Sequence, residues 1–184
     1  MVTHVDSDAS YLVLPKARSR IAGYFCLLHS QTSPHRHHVD NGPILIECKT
    51  LRSVVTSAAE AETHGVFHYA KRTIPIIHTL TQMNHLQDGP TPLRTDNSTS
   101  HGFVHNNIQM KKSKSWDMEL HWLRDKKITK FIKVFWDKGT NNGGDYFTKH
   151  HATSRHWHIW QQRKYIRDTH TDLKHKINSI FLKM

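Results

Sequence analysis

The hydrophobic period of the chain changes once, near residue 55, and that change limits the folds open to it. Before it, apolar residues come in short runs rich in β-formers. Tyr11-Leu-Val-Leu14 is closed by Pro15, residues 21–28 contain Tyr24 and Phe25, and residues 44–51 are opened by Gly42-Pro43. A polar, His-rich link over 30–41 reads as a loop. Three consecutive runs joined by links predict an antiparallel meander. Beyond residue 55, Val66, Ala70, Ile74, Ile77 and Leu80 recur every three or four positions, which is one face of a helix. Thr56 or Ser57 can cap its start, and Glu60 and Glu62 suit its first turn. Pro75 predicts a break and a second helix capped by Thr73. After Gly89-Pro90, residues 91–95 read as a short strand. A helix is expected over 113–128, with Trp116, Leu120 and Leu123 on one face. A strand follows over 131–136, then a turn at Asn141-Asn-Gly-Gly144 and a last helix from Asp145. Strands first and alternation afterwards predict an α/β domain: a mixed five-stranded sheet with helices on both faces.

Composition narrows the function. The 184 residues suit one domain and carry a formal net charge of +11, with 18 histidines besides. Such a chain favours polyanions, with nucleic acid first among them. No stretch of 18 apolar residues exists, so no transmembrane helix is expected. The opening MVTHVDSDAS has neither the basic nor the apolar region of a secretory signal. Cys26 and Cys48 are too few for a disulfide framework and are expected to be buried free thiols in a reducing compartment. The domain is expected over 1–151. Beyond it the apolar pattern fades into a basic, weakly ordered tail, 152–184.

Four carboxylates stand where strands end or helices begin: Asp8, Glu60, Asp96 and Asp145. Carboxylate oxygens are the ligands that hard cations such as Mg²⁺ require. Capping and turn chemistry would place Asp and Glu at the same positions. Asp6 shares the side-chain parity of Asp8 on a strand, so the register leaves both open. Glu62 lies about 200° around a helix from Glu60, so only one of that pair can face a common site. Three His groupings, His35/His37/His38, His150/His151 and His156/His158, show no zinc fingerprint spacing. His150 or His151, just after the last acid, could carry a proton. Trp116 and Trp122 fall on different sides of their helix, one in the core and one half exposed.

At these places the sequence resembles the ribonuclease H domain of copia-type LTR retrotransposon Pol polyproteins. The resemblance rests on Ser7-Asp-Ala-Ser10, Ser57-Ala-Ala-Glu-Ala-Glu62, Thr95-Asp-Asn-Ser98, residues 113–124 and Gly144-Asp-Tyr-Phe-Thr-Lys149. It runs from about residue 3 to 151. It implies a ribonuclease H-like fold and a metal-dependent endonuclease that cuts the RNA strand of an RNA–DNA hybrid. It implies two Mg²⁺ ions, with Mn²⁺ as a substitute, held by Asp8, Glu60, Asp96 and Asp145. Lys111, Lys112, Lys114 and Arg124 would then contact nucleic-acid phosphates. A reverse transcriptase domain of the same polyprotein is the implied partner. The implied setting is intracellular, a cytoplasmic virus-like particle or the nucleus. Two departures stand out. Gly144 replaces a usual Ala, and residues 155–162 (RHWHIWQQ) replace a Pro- and Arg-containing stretch. They keep a second expectation in view, a nucleic-acid-binding remnant without catalysis. A transposase or integrase on the same fold is disfavoured, because its site uses three acids in other contexts.

Overall fold

The computed structural model of the chain describes residues 2–28, 42–106, 108 and 114–163. Five strands, β1 (Val2–Leu14), β2 (Arg18–Leu28), β3 (Leu45–Thr50), β4 (Thr91–Thr95) and β5 (Ile132–Trp136), form one sheet in the order β3-β2-β1-β4-β5. β1, β2 and β3 pair antiparallel, whereas β1–β4 and β4–β5 are parallel. The expected meander and mixed sheet are therefore both present. β1 is longer than its apolar run at 11–14, because it also takes in the polar segment from Val2 to Ser10. Those polar residues are buried on both faces, which is why periodicity did not mark them.

Helix α1 (Ala58–Gln82) crosses one face of the sheet. The Ser57 hydroxyl caps it by accepting from Glu60 N. Val66, Tyr69 and Ala70 pack on Val5, Ile21, Phe25 and Leu93 in the core. Close approach is possible because Gly23 has no Cβ: a methyl there would lie 2.4 Å from the Tyr69 ring. The predicted break at Pro75 is not observed, and one helix continues through it. Thr73 caps nothing; its hydroxyl donates to Tyr69 O inside the helix, at 2.8 Å. Proline removes one backbone donor, and tertiary packing of the preceding turns outweighs that loss.

Helix α2 (Ser98–Val104) is capped by the Asn97 side chain, and α3 (Lys114–Ile128) packs against it and α1. Trp116 is the core tryptophan, edge-on to Phe103 at 5.0 Å, while Trp122 is half-buried against Phe67. The opposite face of the sheet carries the short α4 (Asp145–Thr148) and the 3₁₀ turn Gly139–Asn141 that leads to it. α5 (Thr153–Arg163) then forms where the sequence suggested only a weakly ordered tail. Contacts made by its side chains to α4, given below, supply what its own apolar pattern lacks. Cys26 is buried, as expected, but Cys48 is exposed, on the edge strand β3. No helix among the described residues is long and apolar enough to cross a membrane.

Candidate functional site

The parallel half of the sheet brings distant acids together. Asp8 lies on β1, Asp96 follows β4 directly and Asp145 opens α4. One carboxylate oxygen from each lies within 4.8 Å of the others. Asp8 and Asp145 are buried and Asp96 is half-buried. At an effective dielectric of about 20, each like-charged pair at such a distance costs roughly 3 kcal/mol. Like charges so close repel one another. Burial first, then the charges of Asp96 and Asp145, push the Asp8 pKa up to about 7, against the Thr148 hydrogen bond and Lys149, which lower it. Burial also raises Asp96.

Of the two acids on α1, Glu62 and not Glu60 lies beside this group, outside the 4.8 Å trio. Glu62 Oε1 accepts from Ala9 N at 3.0 Å. Burial and then the charges of Asp8 and Asp96 raise its pKa well above the usual carboxylate value. Glu60 turns the other way: its Oε2 accepts from both the backbone N–H and the hydroxyl of Thr56, each at 2.6 Å. It is a capping residue. Glu60 lies in the first turn of α1 and Glu62 just past it, and only the rotation of α1 on the sheet assigns their tasks.

Register likewise separates Asp6 from Asp8. Asp6 is fully buried, with Oδ1 3.0 Å from His4 Nε2 and Oδ2 accepting from Gly143 N at 2.9 Å. It belongs to a structural network beside the acids.

Other contributors carried weaker sequence signals. The Thr148 hydroxyl donates to Asp8 Oδ2, and Lys149 Nζ pairs with Asp145 Oδ1. Arg155, on α5, reaches Asp145 Oδ2 at 3.1 Å. The Thr-Lys pair lies in a segment already singled out; Arg155 lies in the stretch that departs from expectation. Burial works against the charge of Lys149, but its carboxylate neighbours raise its pKa overall. The Tyr146 hydroxyl meets His156 Nδ1 at 2.5 Å and its ring stacks on His151 at 5.1 Å, fastening α5 to α4. Cys48 Sγ faces Phe147 O at 3.3 Å. Gly139 and Gly144 let the loop close on the acids. A Cβ on Gly139 would lie 2.6 Å from Asp96 Oδ2, and one on Gly144 would lie 3.0 Å from Asp8 Cβ.

The donor set fits hard divalent cations. It consists of carboxylate oxygens, and buried Glu62 Oε2 has no hydrogen-bond partner among the described residues. Of the expected nucleic-acid contacts, Lys111 and Lys112 lie outside the described residues, as do His35, His37 and His38. Lys114 is described only as the first residue of α3. Arg124 is half-buried, and its guanidinium donates twice to Phe103 O, at 2.7 and 3.1 Å. It ties α3 to α2, a structural task the sequence did not announce.

No family model and no curated protein matches the sequence. Solved structures do match the fold. The chain is similar to ribonuclease H1 from the halophilic archaeon Halobacterium salinarum NRC-1, at 11% identity and a TM-score of 0.55, covering 80% of this chain and 94% of that one. It is similar to LC11 ribonuclease H1, solved in complex with RNA/DNA hybrid, at 9% identity and a TM-score of 0.54, covering 79% and 92%. It is also similar to the N-terminal ribonuclease H domain of a Mycobacterium tuberculosis protein, solved as a fusion with maltose-binding protein, at 9% identity and a TM-score of 0.53, covering 79% and 89%. The fold is thus ribonuclease H-like, a mixed five-stranded sheet with helices. Its acidic trio comes from β1, from the residue just past the C-terminal end of parallel strand β4, and from the start of α4.

Proposed function

We propose that the chain is a metal-dependent endoribonuclease of ribonuclease H type, acting on the RNA strand of an RNA–DNA hybrid. The observation that carries this reading is the meeting of Asp8, Asp96 and Asp145, from three elements, with buried Glu62 beside them. Asp8, Glu62, Asp96 and Asp145 would hold two Mg²⁺ or Mn²⁺ ions. The ions would supply Lewis acidity at the attacking water and at the leaving 3′ oxygen. The acids themselves bond to nothing covalently. Thr148 fixes the orientation of Asp8, and Lys149 offsets the surplus negative charge when the site carries no ion. Discrimination of RNA from DNA would rest on the 2′-hydroxyl groups.

The copia-type Pol origin, a reverse transcriptase partner and an intracellular setting, in a virus-like particle or the nucleus, complete the reading, supported by the motif resemblance. The domain would occupy residues 1–151, and 152–184 would be a basic tail that begins with α5. Lys111, Lys112 and Lys114 would grip the hybrid backbone. One observation favours a second reading, a hybrid-binding remnant: Lys149 and Arg155 already hold both oxygens of Asp145.

A cleavage assay on labelled hybrid separates the two. Cleavage with Mg²⁺ and none with EDTA supports the nuclease. Asp96→Asn should then slow cleavage about a thousandfold, about 4 kcal/mol at 1.36 per tenfold. Asp88→Asn, on the 83–90 turn, should change little. Hybrid binding without any cleavage in Mg²⁺ or Mn²⁺ supports the remnant.

A further inference from the structure

A buried charge cluster lies beside the acids without belonging to them. Asp6 on β1 is in register with Arg94 on β4, and Arg94 with Phe135 on β5. Asp6 and Arg94 are both completely buried, and Asp137, just past β5, is nearly so. Arg94 Nε lies 3.5 Å from Asp6 Oδ1 and 3.7 Å from Asp137 Oδ2, and the guanidinium sits over the Phe135 ring at 5.6 Å. Burying three charges is expensive, and well-packed apolar residues would often serve stability equally well. The cluster makes sense through what it holds.

Each member grips the loop that delivers Asp145. Asp6 Oδ2 accepts from Gly143 N at 2.9 Å. Arg94 donates to Asn141 O. Asp137 accepts from Lys138 N at 2.8 Å and from Asn141 Nδ2 at 3.2 Å. Asn142 adds a neutral anchor, donating to Ser7 O at 2.7 Å and accepting from Gly144 N at 2.9 Å. The 138–144 segment contains three glycines and no buried apolar side chain, so little else would define its course.

We propose that Asp6, Arg94 and Asp137 are positioning residues: a buried charge triad that fixes the 139–144 loop and so sets where Asp145 stands relative to Asp8 and Asp96. This rests on the reading of those acids as a cation site. The two carboxylates of Val5-Asp-Ser-Asp8 then have separate tasks, Asp6 shaping the loop and Asp8 facing the cation. Partners behind metal ligands typically contribute ten- to a hundredfold in affinity.

The test uses the full chain and Mn²⁺ alone as probe, titrated calorimetrically, with amide hydrogen exchange on the metal-free protein. Asp6→Asn keeps the acceptor for Gly143 N but removes the charge facing Arg94. Asp137→Asn keeps an acceptor for Lys138 N while removing the charge facing Arg94 from the other side and, being at the margin of the core, keeps the test alive should the first variant not fold. Each is expected to weaken Mn²⁺ binding about tenfold or more and to speed exchange at residues 141–147, leaving β1 and β4 protected. Wild-type affinity in a folded variant overturns the proposal. So does a loss of affinity with faster exchange spread through β1 and β4, which marks mere destabilisation. A wild-type chain that binds no Mn²⁺ overturns the cation-site reading itself, and this proposal with it.

Discussion

Neutralising Asp8 should make the metal-free protein more stable while removing its response to metal. The Asp8 carboxyl has a pKa of about 7 in the folded chain against the usual 3.8. The folded state therefore binds more protons than the unfolded state between these values, and stability is lost as pH rises from about 4 to about 7. Roughly three pKa units at 1.36 kcal/mol each give about 4 kcal/mol by pH 8. Glu62 and Asp96 share the same repulsion, so a recovery of about 2–4 kcal/mol is expected for Asp8→Asn. The asparagine can still accept from Thr148, so packing is little changed. Urea unfolding in EDTA should show the variant ahead by only about 1 kcal/mol at about pH 4.5, and by the full amount at pH 8. Adding Mn²⁺ should raise the wild type and leave the variant almost unmoved. Equal stability at pH 8, or a less stable variant with an unchanged m-value, would refute the claim that burial, helped by the neighbouring carboxylates, disfavours ionised Asp8.

Three further outcomes are expected. Glu62→Gln should abolish metal-dependent cleavage of hybrid, whereas Glu60→Gln should leave the cleavage rate within about twofold and cost about 1 kcal/mol of stability in a denaturant titration, as loss of a helix cap does. Gly23→Ala should destabilise by about 1–3 kcal/mol, because its methyl meets the Tyr69 ring at 2.4 Å and α1 must lift from the sheet; thermal unfolding measures this. Replacing Lys111, Lys112 and Lys114 together by Ala should weaken hybrid binding equally for all sequences and reduce the slope of log affinity against log salt by roughly 0.7–0.9 per lost phosphate contact. An unchanged slope would mean that these lysines do not touch the phosphates.

The amino-acid sequence determined the order of the five strands and the places of α1, α3 and α4 among them, because the switch from runs to a helical period is local and survives any packing. It also narrowed the cap of α1 to Thr56 or Ser57 and marked Asp8, Asp96 and Asp145, the last two from turn chemistry at a strand end and a helix start, and all three from the motifs around them. Tertiary structure alone decided between neighbours. Glu60 and Glu62 both suit a first turn, and the rotation of α1 sends one to Thr56 and the other to Ala9. Asp6 and Asp8 share one face of β1, and the position along the sheet gives one to Arg94 and the other to the acids. Pro75 remains within a single helix because packing of a whole face outweighs one lost hydrogen bond. α5 is anchored through Arg155 and His156, with His151 just before it stacked on Tyr146, contacts that no periodicity encodes. Local patterns record which backbone states are favourable; which of two equivalent side chains faces a site depends on rigid-body placement, fixed only once the core has formed.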